Sequence, residues 1–285
     1  MKTAVIYCFS GTGNTLRVAN SFKDAMEKKG TSVTVALIKK GEEVPSEKDF
    51  DFVGIAYPVH GFNAPLPIWE LVKKFPEENQ KAYFTLKTSG EALRLNDSST
   101  YGVDKILKKK GYRLTNEFHY LMPYNIIFRH SDRMAYEMDK TMKERVTIDA
   151  DLVLNGVDNP PEFKRWTRFV SKMFKIEHKA MPYIGRGFKV TKDKCVGCGA
   201  CERNCPMKNI NMKDSLPVFG KECVGCMGCS FNCPTAAISI GILNGWKVNG
   251  KYSFEKPEFN EDESFVPRYC RNSYRRYFRL AKPQN

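Results

Sequence analysis

The sequence of 285 residues predicts an α/β fold, a doubly wound parallel sheet of five strands, followed by a small α+β domain. Three observations predict this arrangement. Apolar runs alternate with helical patterns over residues 1–125, a loop of small polar residues follows the first run, and eight of the ten cysteines form two runs of equal spacing. Alternation of strands with helices is typical of parallel sheets covered by helices on both faces.

The five predicted strands are short runs rich in apolar and β-branched residues. They occupy residues 2–9, 31–38, 51–58, 81–90 (the strand together with its loop) and 112–123. Helical patterns separate them, and one side of the first helix carries the apolar residues Leu16, Ala19, Phe22 and Met26. The next two predicted helices cover residues 65–75 and 99–111. Because helical crossovers return successive strands in one direction, we expect a parallel sheet.

Two further helices are predicted over residues 134–154 and 162–181, on either side of the helix-breaking segment "NGVDNPP". We expect the first to complete the α/β domain and the second to lead into the cysteine-rich part. The sequence therefore predicts an α/β domain, a helical connector, a cysteine-rich domain and a basic tail, at residues 1–154, 155–187, 188–244 and 245–285.

Eight cysteines form the repeated motif C-x2-C-x2-C-x3-C-P. The first copy holds Cys195, Cys198, Cys201 and Cys205, and the second, 28 residues later, holds Cys223, Cys226, Cys229 and Cys233. The motif resembles that of bacterial ferredoxins with two 4Fe-4S clusters, in which the fourth cysteine of each run binds the other cluster. The resemblance implies one cluster on Cys195, Cys198, Cys201 and Cys233. It implies a second cluster on Cys205, Cys223, Cys226 and Cys229.

Other uses of these cysteines fit the sequence less well. A structural zinc site has four ligands, whereas this motif supplies eight. Disulfides need an oxidising compartment, and the first residues, "MKTAVIYCFSGTGNT", lack the apolar region and cleavage site of a signal peptide. Gly197 and Gly225 are expected in tight turns, and Pro206 and Pro234 at the first position of short helices.

The loop after the first predicted strand has the composition of a phosphate site. It holds Ser10, Gly11, Thr12, Gly13, Asn14 and Thr15. Small residues allow the backbone to approach a phosphate, and the following helix directs N–H groups towards it. The loop has neither the lysine of a Walker motif nor the glycine spacing of a dinucleotide fingerprint. We expect a monophosphate held by neutral donors, the alternative being a plain turn that caps the helix.

This loop resembles the phosphate loop of flavodoxins, and the five predicted βα units resemble the flavodoxin fold. The loop departs from that family at Gly11, where a bulkier residue is more common. The resemblance implies FMN, bound non-covalently by the loops after strands one, three and four. Its implied ring-binding residues are Tyr57, Pro58, Val59, His60, Gly61, Phe62, Asn63, Thr88, Ser89, Gly90 and Glu91.

Within that set, individual roles are also implied. Tyr57, His60 and Phe62 are candidates to cover the flavin ring. In flavodoxins, a glycine at the position of Gly61 turns its peptide to accept a hydrogen bond from flavin N5, and glycine does this cheaply because either sign of φ is accessible. The alternatives are that Gly61 only shapes the turn and that His60 is a solvated loop residue.

Charge and composition limit the partners. The formal net charge is +14, which iron–sulfur clusters and a flavin phosphate would reduce. We expect redox protein partners, an acidic surface being the natural complement, and no nucleic acid. No apolar run approaches the roughly 20 residues of a membrane span. No NAD(P) fingerprint is present, and without a signal peptide the expected location is cytoplasmic.

The C-terminal tail is basic. Residues 268–282 hold six basic residues and no acidic one. Its aromatic residues and one alanine could form an apolar stripe on a helix, namely Tyr269, Tyr274, Tyr277, Phe278 and Ala281. The three interpretations are a terminal helix packed on the cysteine-rich domain, a docking site for an acidic partner, and a segment that covers the flavin.

The whole chain resembles fusions of a flavodoxin-like domain with a two-cluster ferredoxin, a group common in anaerobes. The resemblance implies an electron carrier that passes single electrons between FMN, two 4Fe-4S clusters and redox proteins. A ferredoxin-fed flavin reductase of a small molecule is the alternative, with Tyr57, His60 and Glu91 as its acid–base candidates. A non-catalytic sensor is a third hypothesis.

Overall fold

The computed structural model describes residues 1–259, 265–268 and 270–280. Its N-terminal half alternates strands and helices, as predicted. In chain order these are β1 Thr3–Cys8, α1 Asn14–Glu27, β2 Ser32–Leu37, β3 Phe52–Pro58, α2 Leu66–Lys74, β4 Lys81–Ser89, α3 Tyr101–Lys109, β5 Tyr112–Leu121 and α4 Asp132–Leu154.

The five strands form one parallel sheet in the order β2-β1-β3-β4-β5. This is the flavodoxin-like order, and its switch point lies between β1 and β3. One face of the sheet is covered by α1 and α4, where Phe22 and Met142 pack with Ile6. The other face carries α2 and α3, where Ile68 and Leu107 are buried. The predicted fold class of this half is confirmed.

The connector differs from the prediction of one helix over residues 162–181. It forms two helices, α5 Arg165–Phe174 and α6 Ile176–Arg186, that meet at Lys175. The two helices have different neighbours. The Thr167 hydroxyl of α5 lies 2.6 Å from that of Ser98 in the α/β half, whereas Gly185 of α6 packs on Cys223. A single helix therefore gives way to two because each half packs against a different part of the molecule.

The cysteine-rich part is a small α+β unit. It contains β6 Lys189–Val190, α7 Ala200–Arg203, β7 Ile210–Lys213, β8 Leu216–Phe219, α8 Gly228–Phe231 and β9 Ile238–Ser239. The strands form two antiparallel pairs, β6 with β9 and β7 with β8. The chain ends, as far as it is described, with α9 Arg271–Leu280.

The motif prolines do not begin helices, which corrects the prediction for Pro206 and Pro234. The short helices α7 and α8 precede them and contain the third cysteine of each run. Each proline instead follows the fourth cysteine in a turn, which is closed by an N–H···O bond of 3.1 Å from Lys208 to Cys205 and of 3.2 Å from Ala236 to Cys233. Proline suits the second position of such a turn because its φ is already fixed near the required value.

The tail helix packs on the α/β half, not on the cysteine-rich part. Tyr274 and Tyr277 are buried against Leu121 of β5 and Met134 of α4. The Tyr277 hydroxyl accepts a 3.1 Å hydrogen bond from the Leu121 N–H. Phe278 packs against the same cluster, while Tyr269 and Ala281 of the predicted stripe lie outside the described residues. Among the described helices, none is long and apolar enough to cross a bilayer.

Candidate functional site

The eight motif cysteines are grouped in two sets of four. Cys195, Cys198, Cys201 and Cys233 line one cavity together with Pro217 and Ile238; we name these cysteines the outer set. The other four lie close enough to influence one another electrostatically; we name them the inner set, which comprises Cys205, Cys223, Cys226 and Cys229. In both sets the fourth cysteine of one run joins the first three of the other.

The two runs share their backbone conformation as well as their spacing. Positive φ recurs at an interval of 28 residues in three pairs: +65° and +72° at Gly197 and Gly225, +67° and +58° at Gly199 and Met227, and +48° and +51° at Lys208 and Ala236. Met227 keeps this left-handed conformation despite its side chain, which indicates that the surrounding loop requires it. The sequence repeat is therefore also a structural repeat.

Backbone N–H groups point at the sulfur atoms in the same repeated manner. The Asn209 N–H lies 3.3 Å from Cys205 Sγ, and the Ala237 N–H lies 3.3 Å from Cys233 Sγ. Burial by itself raises the pKa of Cys233, but hydrogen bonds from Ala237, Thr235 and Ile238 outweigh it, so that the net shift is downward. Donors of this kind stabilise thiolates, the form in which cysteine binds iron.

The inner set is the more buried of the two. Burial, and after it the neighbouring cysteines, raises the pKa of Cys223 and Cys229, and raises that of Cys226 to about 12. Such thiols would stay protonated at neutral pH unless a cation compensated their charge, which is what iron does when thiolates ligate it. Within the described residues, no three Cys, His, Asp or Glu side chains are grouped tightly enough for a single metal ion. A cube instead accepts one thiolate at each of its four irons.

The phosphate-type loop has free donors at the start of α1. Within the described residues, the backbone N–H groups of Thr12, Asn14 and Thr15 have no hydrogen-bond acceptor. The Ser10 hydroxyl oxygen shapes the loop by accepting from the N–H groups of Gly13 at 3.2 Å and Leu16 at 3.3 Å. Free N–H groups at the first turn of a 14-residue helix suit a phosphate. The phosphate end of an FMN site therefore fits this loop.

The polar side chains of that loop hold neighbouring segments together. Asn14 Nδ2 donates to the Pro123 carbonyl at 2.7 Å. The hydroxyl of Thr15 lies 2.8 Å from that of Thr88, at the end of β4. These contacts join the loops that follow β1, β4 and β5 at one edge of the sheet.

The loop after β3 contains a tight turn. His60 and Asn63 exchange two backbone hydrogen bonds of 2.9 and 2.8 Å. Gly61 and Phe62 between them both have positive φ, +48° and +59°. The Gly61 carbonyl accepts a 2.8 Å hydrogen bond from Asn63 Nδ2, and Glu177 of α6 packs directly on the Gly61 α-carbon. Gly61 thus shapes this turn, and a rotation of its peptide would first have to break the Asn63 contact.

Two predicted ring neighbours after β3 have other surroundings. The Tyr57 side chain is buried in the core, with its hydroxyl 2.5 Å from that of Thr100. β3 thus turns this side chain towards α3, and its predicted role as a cover of the flavin ring stays a prediction. His60 is not solvated either: its ring packs on Phe9 at a centroid distance of 6.4 Å. Burial, and then the charge of His178, lowers the pKa of His60 to about 4.

The loop after β4 is covered by residues that the sequence did not single out. The Tyr124 ring packs on the α-carbon of Gly90, and the Tyr274 hydroxyl donates to the Gly90 carbonyl at 2.9 Å. Ser89 donates to the Glu91 carbonyl at 2.6 Å. Burial raises the pKa of the Glu91 carboxyl, although contacts with Cys270 and Tyr124 oppose this. Tyr124 follows β5 without any recognisable motif, so only the aromatic residue itself could have drawn attention to it.

The inner set lies directly against the phosphate-type loop. A β-carbon on Gly11 would lie 2.5 Å from Cys226 Cβ and 2.8 Å from Cys226 Sγ. Gly228 packs in the same way on the Gly11 carbonyl. Asn125 bridges the two segments, because its Nδ2 donates to Thr12 Oγ1 at 3.3 Å and lies 3.5 Å from the Cys226 carbonyl. Only glycine leaves room for this contact, which gives a reason for the residue that departs from the flavodoxin loop.

Comparisons with known proteins gave one family match and a number of similar solved structures. The family model for the 4Fe-4S dicluster domain matches residues 186–238. Among solved structures, the chain is similar to a flavodoxin from Streptococcus pneumonia TIGR4, with 17% identity, coverage of 54% of this chain and 99% of that one, and a TM-score of 0.41. It is also similar to oxidised Flavodoxin 1 from Bacillus cereus, with 12% identity, coverage of 52% and 98%, and a TM-score of 0.38.

No curated protein matches the sequence. We therefore assign the fold of the N-terminal half from its sheet, because the strand order is that of flavodoxins. We assign the C-terminal part from the family match and from the grouping of its cysteines in two sets. The chain is a fusion of a flavodoxin-like α/β fold with a 4Fe-4S ferredoxin domain.

Proposed function

We propose that the protein is an electron carrier that passes single electrons between redox protein partners, two 4Fe-4S clusters and FMN. The observation that carries this proposal is the contact of Cys226 with Gly11. It places a predicted cluster ligand against the predicted phosphate loop, so that the two redox sites are neighbours within one chain. FMN supplies one- or two-electron chemistry when bound, and each cluster supplies one-electron chemistry.

We propose that each cysteine set binds one cluster. The outer set would then exchange electrons with partners, because Cys198 is exposed there. The inner set would relay them to the α/β domain, because Cys226 packs against Gly11. We further propose the division of the chain at residues 154, 187 and 244. The ends of α4 at Leu154 and of α6 at Arg186 support the first two boundaries.

We propose that FMN is held at its phosphate by residues 10–15. The free N–H groups of Thr12, Asn14 and Thr15 would bind it, and Ser10 would keep the loop in shape. The segments next to the ring would be 57–63 and 88–91, to which the structure adds Tyr124. Because Tyr124 and Glu177 now pack on Gly90 and Gly61, a ring bound there would contact these side chains or displace them.

The alternative, a flavin reductase of a small molecule, has less support. Its acid–base candidates were Tyr57, His60 and Glu91. Burial raises the pKa of Tyr57 and Glu91 and lowers that of His60, and all three pack against the chain itself. None is directed into a substrate cavity by the contacts described above. The carrier is therefore the function that the geometry supports best.

The test is electron delivery to FMN in the anaerobically purified holoprotein. A reduced ferredoxin serves as the donor in stopped flow, and flavin and cluster absorbance are followed separately. The Cys205→Ser variant should keep FMN and the outer cluster but transfer electrons to FMN much more slowly. Cys8→Ala, which changes the buried cysteine of β1 outside both sets, is the matched control and should behave as wild type. Equal rates in Cys205→Ser and wild type, or a purified protein without FMN, would refute the proposal.

A further inference from the structure

Helix α5 is amphipathic, but its polar side faces the protein and its apolar side faces solvent, which is the reverse of most surface helices. Its buried side is polar: the Thr167 hydroxyl lies 2.6 Å from that of Ser98, and the Ser171 hydroxyl donates to Asn63 Oδ1 at 2.7 Å. Its outward side is apolar. The exposed fractions there are 48% for Trp166, 63% for Phe169 and 57% for Met173.

These three residues form one continuous surface, which we name the apolar face. Their spacing of i, i+3 and i+7 places Trp166, Phe169 and Met173 on the same side of the helix. Ile176, at the start of α6, is 70% exposed and follows directly. A single exposed apolar residue needs no explanation, but several large ones on one side of a helix are typical of a surface that binds something.

The charges beside the apolar face are all of one sign. Residues 164–176 contain no acidic residue, and their exposed basic residues are Lys164, Arg165, Lys172 and Lys175. Within the described residues, none of these four takes part in a salt bridge. Lys73 and Lys105 lie close to Lys175 and, after burial, contribute to lowering its pKa. The surface thus combines aromatic and apolar side chains with positive charge, although Asp97 is close enough to Lys164 for the two to interact and Lys175 Nζ lies 3.9 Å from the centroid of the Trp69 ring.

We propose that α5 is an in-plane membrane-surface helix that binds the headgroup region of an anionic lipid bilayer. A helix with Trp and Phe on one side and Lys and Arg beside them has the composition of interfacial helices. Anionic lipids would supply a counter-charge to basic residues that form no salt bridge within the described part of the chain. A protein partner fits less well, because the buried centres of protein interfaces are depleted of lysine.

The proposed membrane surface adjoins the candidate redox site. The Phe174 ring, at the end of α5, packs edge-on against that of Phe62 at a centroid distance of 4.8 Å. Glu177 of α6 packs on Gly61 in the same loop. Binding through α5 would therefore hold the loop after β3 close to the bilayer. The proposal concerns a surface separate from both cysteine sets, so it can hold or fail independently of the electron-carrier function.

The test is sedimentation of the holoprotein with vesicles of phosphatidylcholine, with and without phosphatidylglycerol. Wild type should bind the vesicles that contain phosphatidylglycerol, and added salt should weaken binding. The triple variant Trp166→Ser, Phe169→Ser, Met173→Ser should lose at least roughly tenfold in affinity, because it removes the inserted side chains. Lys172→Ser with Lys175→Ser should lose roughly thirtyfold on anionic vesicles, because two charges near the surface are removed.

Matched controls change equally exposed residues elsewhere. Ile242→Ser with Trp246→Ser removes exposed apolar side chains of the cysteine-rich part, and Lys28→Ser with Lys140→Ser removes two exposed charges from the α/β half. Both should bind as wild type does. Cluster absorbance of every variant verifies folding. Absence of wild-type binding to anionic vesicles, or equal losses in the controls, would overturn the proposal. So would a wild-type dimer in analytical ultracentrifugation that the triple variant abolishes, if vesicles are not bound.

Discussion

The inner and outer cysteine sets have the same ligands but different surroundings. Val196 and Val224 occupy equivalent positions of the repeat, yet Val196 is 67% exposed and Val224 only 9%. In the first run Cys198 is exposed, whereas in the second Cys226 packs against Gly11 of the α/β half. The first copy of the motif therefore lies at the surface, and the second lies against the α/β half.

This difference shows how two sites of one chemistry can take different roles. The potential of a 4Fe-4S cluster depends on solvent exposure and on hydrogen bonds to its sulfurs, not only on its four cysteines. Burial disfavours the extra negative charge of the reduced cluster. We therefore expect the inner cluster to have the lower potential unless N–H donors compensate, and the outer cluster to be the one that partners reach.

The largest expected effect is a loss of iron when the fourth cysteine of either run is replaced by serine. Cys205→Ser should abolish the inner cluster and Cys233→Ser the outer one, each lowering iron from about eight to about four per chain. The reason is that Cys205 lies with Cys223 and Cys226, and Cys233 lies in the cavity of Cys195 and its neighbours. Iron analysis with electron spin resonance identifies the cluster left. Loss of the outer cluster in Cys205→Ser would contradict the grouping.

An iron chelator should remove the two clusters at different rates. Under anaerobic conditions an iron chelator should remove the outer cluster several-fold faster than the inner one, since Cys198 is exposed and Cys226 is shielded by the α/β half. The two variants just described supply the reference spectra for each cluster. Simultaneous loss of both clusters at one rate would remove the distinction between the sets.

Gly11→Val should disturb the boundary of the inner set. A β-carbon at this position meets Cys226, and overpacking of this kind costs about 1–3 kcal/mol in the free energy of unfolding. Gly245→Ala is the matched control, because a β-carbon there has no neighbour within 4 Å. Denaturant unfolding of the holoprotein measures both variants. A Gly11→Val protein as stable as Gly245→Ala would show that the Cys226 contact is not close in solution.

The smallest effect should appear at the two equivalent valines. Val224→Ala should lower the free energy of unfolding by about 1 kcal/mol or somewhat more, because it deletes buried methyl groups. Val196→Ala should change it by less than about 0.5 kcal/mol, as is usual for exposed positions. The same unfolding experiment compares them. Equal losses at both positions would mean that the two runs are equally buried.

Much of this organisation could be predicted from local features of the sequence. The five strands alternate with helices because apolar periodicity is a property of short segments, and the structure has them close to the predicted bounds. The grouping of Cys205 with the second run is what the resemblance of the motif to two-cluster ferredoxins implies, and the structure brings these cysteines together. The loop at residues 10–15 could likewise be recognised from its composition and its place after the first strand.

Other features depended on packing between distant segments. Its aromatic side chain made Tyr57 a candidate to cover the flavin ring, whereas its burial in the core depends on how β3 packs against α3. The single predicted helix over 162–181 became α5 and α6 because their two halves meet different neighbours. The tail helix packed on the α/β half through Tyr274 and Tyr277, although its sequence did not specify a partner surface.

The sequence by itself determined which residues can hold iron and which loop can hold a phosphate, because spacing and composition act over a few residues along the chain. Only the tertiary structure decided that Cys226 lies against Gly11, that Tyr124 covers Gly90, and that α5 turns Phe169 outwards. Such contacts join segments far apart in the chain. They depend on how complete surfaces fit together, and no local pattern of residues encodes that fit.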